Sequence, residues 1–467
     1  MPRVEPCARA RFTGMATLAH RLACAAAALW LAHPANARDA AAREAFRAVP
    51  LPAGVRVVHT ELDGPVFADA KGMTLYDWPL QQMRSGVTGD HLGTSECTNV
   101  KVEVSSGLMS PYPAGLRLPE LAQRPACAQV WRPFTAPPSA KAIGKWSIIQ
   151  RKDGGRQWAY DDLPVYTFHL DEQPGDVLGA RADKLILDAP AARRPVGPPP
   201  DVPSGFAVKT MSTGRLLVTA QGMSVYSADT DTATRSACEG ACTDTWIPLL
   251  APTLSRPHGE WSVIERAPGV KQWTFRGKPL YRHALDSGAH RMMGSDVSGW
   301  HNVYTQRAPD PPAGFTVQDT TAGQVLADKQ GRTLYTYFCG DDGVDQLGCD
   351  LPEESQVYRI AICGGGDARR CLEAFPYVIA EPGARSTSRA WRILSIDPLT
   401  GRRARPTDPN ALRVWAFRGR PVYTYAGDRQ PGDVNADSHG EFRAERNGYR
   451  AFWLRDDFFD RDQPGPG

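Results

Sequence analysis

Trp273-Thr-Phe275-Arg-Gly277-Lys-Pro279-Leu-Tyr281 follows a template that the chain uses three times: a Trp, an aromatic residue two positions on, a Pro at six and a Tyr at eight. The other copies run from Trp158 to Tyr166 and from Trp415 to Tyr423. Trp273 and Phe275 share one face by the period of two, Arg276-Gly277-Lys278 supplies a tight turn, and Pro279 to His283 return. The stretch therefore predicts a β-hairpin with Tyr281 as a cross-strand aromatic partner. The Pro lacks an amide donor, which places the start of the returning strand at an edge. Its recurrence at fixed spacing within 467 residues predicts a repeat protein.

Each template closes a longer unit whose start is also repeated, as Leu51-Pro-Ala-Gly54-Val55, Val202-Pro-Ser-Gly205-Phe206 and Pro311-Pro-Ala-Gly314-Phe315. A first half then ends in a Gly and a Tyr four residues apart, at Gly72 and Tyr76, Gly222 and Tyr226, and Gly331 and Tyr335. Apolar segments before each Gly predict strand, turn and strand. A Cys follows, with an aromatic residue four positions on: Cys127 and Trp131, Cys242 and Trp246, Cys371 and Phe375. Trp146, Trp261 and Trp391 open the second halves, and the third copy carries twelve extra residues before Trp415. The 43 Gly and 40 Pro favour short strands and many turns. The expected class is all-β, with three tandem units of two hairpin-like halves and short helical or irregular segments closed by disulfides. The expected divisions are a signal peptide at 1–37, unit 1 at 50–188, a Pro-rich linker at 189–203, unit 2 at 204–306, unit 3 at 311–458 and a flexible tail at 459–467.

Arg9, Arg11 and Arg21 precede an apolar run from Leu22 to Leu31 that ends in Ala35-Asn-Ala37, the pattern of an export signal cleaved after Ala37. Residues 1–37 hold four Arg and one Glu, so the remainder carries 50 basic and 50 acidic residues and no net charge. That balance removes the electrostatic case for nucleic acid or an anionic membrane as partner. No later stretch has the apolar length of a transmembrane helix. Eight cysteines follow the signal, Cys97, Cys127, Cys238, Cys242, Cys339, Cys349, Cys363 and Cys371, an even count that in an exported chain predicts disulfides. If pairing stays within units, Cys97–Cys127 and Cys238–Cys242 are set and unit 3 keeps three alternatives.

The six Gly-Tyr and Pro-Tyr hairpins, with Cys238-Glu-Gly-Ala-Cys242-Thr-Asp-Thr-Trp246-Ile-Pro248, resemble a bacterial secreted and lipoprotein repeat family of unknown function marked by a Tyr, four residues and an Asp. The motif stands as Tyr166 with Asp171, Tyr226 with Asp231, Tyr281 with Asp286 and Tyr423 with Asp428. Two copies depart: Tyr76 has Gln81 at the acid position, and Tyr335 has Gly340, with Asp341 one residue late. The aromatic two after the Tyr is Trp78, Phe168, Tyr337 or Tyr425, but Ala228 and His283 replace it in unit 2. The resemblance implies compartment and architecture and little chemistry.

Four constellations have a chemical reading. Tyr and Asp in rows suit a cation or a sugar, against the plainer reading of a packed phenol and an Asp that caps backbone amides. Cys238 and Cys242 suit a soft ion or a disulfide, and the compartment favours the disulfide. His283, His290, Met292, Met293 and His301 gather soft and imidazole ligands in unit 2 only; this weak metal candidate competes with scattered surface residues. Asp341, Asp342, Asp345 and Asp350 crowd a loop bounded by cysteines without the ligand order of a calcium loop. Gly-x-Ser-x-Gly, His-Glu-x-x-His, a phosphate-binding Gly loop and Cys-x-x-Cys-His are missing. The expectation is an exported protein without catalysis or cofactor, periplasmic or secreted, that binds or scaffolds an envelope protein or small ligand. A periplasmic copper-handling protein is the first alternative and a carbohydrate-active enzyme the second.

Overall fold

The second unit shows how the hairpins assemble. Phe206–Met211 pairs antiparallel with Gly214–Thr219. The chain turns at Gly222, whose φ of 83° lies in the left-handed region that glycine tolerates, and leaves as Tyr226–Ala228. The second half repeats the path: Trp261–Ala267 pairs with Val270–Phe275, Phe275 faces Lys278 across a two-residue turn, and Tyr281–His283 departs. Both residues of that turn have positive φ, Arg276 at 48° and Gly277 at 75°, as the right-handed twist of a hairpin demands. Arg418 and Gly419 repeat it in unit 3, and Asp161 and Asp162 in unit 1.

The chain is described by a computed structural model at residues 42–83, 86–100, 125–180, 193–288, 291–321, 323–339, 355–440 and 447–454. The segments expected as signal peptide and tail, His290, Cys349 and the acids Asp341, Asp342, Asp345 and Asp350 lie outside these residues, as does the side chain of Cys339. The all-β expectation holds, with many small antiparallel sheets and few helices. Cys127–Val130 and Cys242–Thr245 are four-residue helices, and unit 3 has the longer Ser355–Gly364 and Ala368–Ala374.

The two departing strands of each unit meet in a central sheet, and there the template departs from its sequence reading. Tyr281 does not face the Trp273 hairpin but lies directly opposite Tyr226. The same register sets Tyr166 opposite Tyr76 and Tyr423 opposite Tyr335. Two hairpins of like build, joined through antiparallel strands at equivalent residues, give each unit an internal pseudo-twofold. In unit 2 the sheet runs Trp246–Pro248, Tyr281–His283, Tyr226–Ala228, Trp300–Asn302. Arg194–Pro195 takes the last place in unit 1 and Asn447–Ala451 in unit 3. Val196, Val303 and Phe452 follow these closing strands and bridge the first half in one way: each carbonyl accepts from Phe67, Leu217 or Leu326, and each amide donates to Leu75, Val225 or Leu334.

The described part of the Pro-rich stretch is therefore wall and not spacer. Arg194–Pro195 pairs with Leu75–Asp77, Pro200 bridges Phe46, and Val202 is buried with Phe206 and Trp261. The units also touch side by side. Thr60 to Gly64, the turn of the first hairpin, offers carbonyls of Thr60 and Glu61 to the Gln306 amide at 2.6 and 3.0 Å. Glu61 accepts from the Arg389 and Ala390 amides, Leu62 enters the core of Trp391, Trp415 and Phe417, and Asp63 pairs with Arg418 at 2.9 Å. Glu44, which is buried, meets Arg215 at 2.7 Å.

Candidate functional site

The Tyr of one half bonds the Asp of the other. Tyr76 donates to Asp171 and Tyr166 to Asp90, each at 2.7 Å. Tyr226 donates to Asp286 at 2.8 Å and Tyr281 to Asp231 at 2.7 Å. In unit 3 Tyr335 donates to Asp428 at 2.7 Å, while the first-half acid read as Asp341 lies outside the described residues. The five-residue offset that places a Tyr and its own Asp on opposite faces is answered by exchange across the pseudo-twofold. Each Asp uses its second oxygen on a backbone amide further along, at Glu96, Leu178, Ala237, Met293 or Asn435. The pairs fasten the two halves together and hold the loop after each strand.

Gln81 is not the partner of Tyr166. The short hairpin of Gln81–Met83 and Gly86–Thr88 is inserted after Tyr76, and the acid arrives late as Asp90. The signal was present as Asp90-x4-Ser95-x-Cys97 beside Asp231-x4-Ser236-x-Cys238. Ser95 lies 2.8 Å from the Tyr166 hydroxyl and Ser236 2.6 Å from that of Tyr281. An arginine completes both networks, buried in unit 1 and half-buried in unit 2: Arg151 donates to Ser95, Gln157 and the Cys97 carbonyl, and Arg266 to Ser236, Gln272 and the Cys238 carbonyl. Arg and Gln stand six residues apart in both units, a second signal in the sequence. Unit 3 has the buried apolar pair Ile396 and Val414 at those places and brings in Arg359, whose guanidinium lies 5.2 Å from the Tyr423 ring and donates to the Tyr377 hydroxyl at 3.0 Å.

The substitutions two after the Tyr are compensated by packing. Trp131, Trp246 and Phe375 are each covered by a side chain at or just before the closing strand: Arg193 at 4.5 Å, Trp300 stacked at 3.7 Å, and Tyr449 stacked at 3.6 Å. The closing residue also faces the variable position of the first half, so Trp78 goes with Arg193, Ala228 with Trp300 and Tyr337 with Tyr449. Where that position is smallest, the closing residue is largest. His283 occupies the place of Phe168 and Tyr425, with its ring 4.6 Å from Trp246, so it serves as an aromatic.

The described metal candidates are spent on other contacts. Cys238 and Cys242 form a disulfide, Met292 is buried with Met211 and Leu216, Met293 is half exposed, and His301 pairs with Asp229 at 3.0 Å. Among the described residues no three His, Cys, Asp or Glu stand close enough to hold a metal ion. Cys97–Cys127 and Cys363–Cys371 are also bonded, the latter selecting one of the three alternatives for unit 3.

The hairpin and its Tyr thus recur six times, twice per unit, and five of the six tyrosines bond an Asp of the opposite half among the described residues. Residues 147–184 and 207–250 match the model of a family described as a secreted repeat of unknown function. The chain carries that repeat. The first match covers the second half of unit 1 and the other the first half of unit 2, each about the length of a half-unit. No curated protein and no solved structure matches the chain. Disulfides together with a secreted repeat fit a location outside the cytoplasm, and no described helix is long and apolar enough to cross a membrane.

Burial dominates the electrostatics of the two acids of unit 1. It pushes Asp171 from 3.8 up to about 8 against the hydrogen bonds from Tyr76 and the Leu178 amide, and Asp90 up to about 6. A carboxyl whose folded value is raised contributes stability that is fully present below the unfolded value and is lost as pH rises through the folded one. The window for Asp171 runs from about 4 to about 8, so unfolding free energy should fall as pH rises across it. Asp171→Asn should flatten that slope. Urea unfolding at pH 5, 6, 7 and 8 checks this, and an unchanged slope in the variant overturns it.

Proposed function

We propose that the chain is a non-catalytic repeat protein of the periplasm or the cell exterior that binds or scaffolds an envelope protein or small ligand. The observation that carries this reading is the reciprocal exchange of Tyr and Asp. The residues that define the repeat are buried, with Asp428 half-buried, and spend their polar atoms on joining half-units, as a fold device does and a row of reaction centres does not. Recognition then falls to what differs among units on the outside. Unit 3 supplies its extra helices and the excursion between Ile396 and Leu412.

The test is affinity capture of the mature protein from its native envelope, with metal content and free thiols measured on the same sample. A specific partner or ligand without stoichiometric metal is expected. Stoichiometric copper with two free thiols would replace this reading with metal handling. Glycan hydrolysis abolished by changing one carboxylate would replace it with an enzyme.

A further inference from the structure

Unit 3 sets a guanidinium closer to a disulfide sulfur than unit 1 does, at 2.9 Å against 3.8 Å. Arg359, on the helix Ser355–Gly364, is almost fully buried, and its Nη1 lies 2.9 Å from Cys371 Sγ and 3.9 Å from Cys363 Sγ. The tyrosines Tyr377, Tyr423 and Tyr449 surround it: the hydroxyls of Tyr377 and Tyr449 lie at 3.0 and 3.4 Å, and the Tyr423 ring at 5.2 Å. The two sulfurs have unlike surroundings. Cys371 is buried, while Cys363 is partly exposed at the helix end. Beyond it Gly365 and Gly366 are exposed, and a Cβ at either would meet open space. Cys363 Sγ also sits 2.9 Å from the main-chain oxygen of Arg359, one helical turn back.

We infer that Cys363–Cys371 is a thiol–disulfide exchange site for a dithiol reductant, with Arg359 positioned to hold Cys371 as the leaving thiolate. A thiolate of the incoming dithiol attacks the accessible Cys363 Sγ. The Cys363–Cys371 bond breaks, and its electron pair leaves with Cys371 as a thiolate within hydrogen-bond reach of a full positive charge. The second thiol of the reductant, on losing its proton, attacks its own sulfur in the mixed disulfide. The reductant departs oxidised, and Cys363 takes a proton and can donate it to the Arg359 carbonyl. Two electrons pass from the dithiol to the pair. A thiol whose anion is stabilised by a neighbouring arginine is the better leaving group. The other pairs provide internal comparison: Arg193 reaches Cys127 only at 3.8 Å, and Arg266 meets the carbonyl of Cys238.

The full mature protein is equilibrated with reduced and oxidised dithiothreitol at graded ratios, quenched by alkylation and read pair by pair by mass spectrometry. Cys363–Cys371 should open at a ratio that leaves Cys97–Cys127 and Cys238–Cys242 closed. Arg359→Met should raise the reductant ratio required by about tenfold or more, with Arg359→Lys recovering part of the loss. The Cys363→Ser variant keeps Arg359 and covers the case in which Arg359→Met fails to fold. Its Cys371 should be alkylated as a thiolate below the ordinary thiol range near 8.5. Opening of all three pairs together, an Arg359→Met protein with unchanged reduction, or a Cys371 that titrates at or above the ordinary value each overturns the proposal.

Discussion

Arg418→Met is expected to lower the unfolding free energy of the protein by about 3–5 kcal/mol. Arg418 and Asp63 belong to different units, and both side chains are about 6 % exposed where they meet at 2.9 Å. The variant strands the Asp63 carboxylate beneath the interface, and an uncompensated buried charge costs more than the pair itself contributes. Backbone strain does not enter the comparison, since Arg and Met carry the same burden at a φ of 48°. The second-site change Asp63→Leu in the same chain should restore part of the loss by removing the orphaned charge. Urea unfolding of the wild type, both single variants and the double variant checks the cycle. A single variant within about 1 kcal/mol of wild type would sink the claim that this pair docks the units.

That contact explains how equivalent residues come to join units. Arg276 holds the same turn position in unit 2 as Arg418 in unit 3, but it bonds Glu260 and the carbonyls of Tyr304 and Thr305 inside its own unit. The turn presents a side chain outward in every copy, and the local neighbour decides whether the bond stays within the unit. Tandem copies therefore pack through positions that the repeat leaves free. Glu61, Leu62 and Asp63 occupy the one opening turn that receives both other units.

The hairpins were legible because their information is local. Period-two aromatics, a turn that tolerates positive φ and a Pro with no amide give Trp273 to Pro279 whatever surrounds them. The destination of Tyr281 was not legible, since leaving one sheet for another depends on a partner strand some fifty residues away, at Tyr226. Asp90 was hidden by an inserted hairpin, although the spacing of Asp, Ser and Cys it shares with Asp231 stood in the sequence. Ala228 and His283 replace the usual aromatic in unit 2, and each is matched by an aromatic neighbour, Trp300 and Trp246. Their rationale lies in volume, which alternation of polarity does not report.

Volume also sets the second large effect. Gly294 follows Asp286 by eight residues, and an added Cβ would lie 2.6 Å from the Trp246 ring and 2.9 Å from that of Tyr226. Gly179 meets Trp131 in the same way at 2.5 Å. Unit 3 places Ala436 at this position and the smaller Phe375 where the other units have Trp, and the Ala436 amide still reaches the Tyr335 hydroxyl at 3.4 Å. Gly294→Ala should therefore destabilise by about 1–3 kcal/mol through overpacking, or more, because the obstructing rings are stacked on Trp300 and fixed by a hydrogen bond to Asp286. Trp246→Phe alone should also destabilise, through loss of the stacked indole and the space it leaves. Together they recreate the pairing of unit 3, so the double variant should be more stable than the sum of the single losses by roughly 1 kcal/mol or more. Thermal and urea unfolding of the four proteins measures that coupling. Strict additivity would mean that the ring and the methyl do not compete for one space, and the alternation of Gly with Trp and Ala with Phe would then have no packing cause.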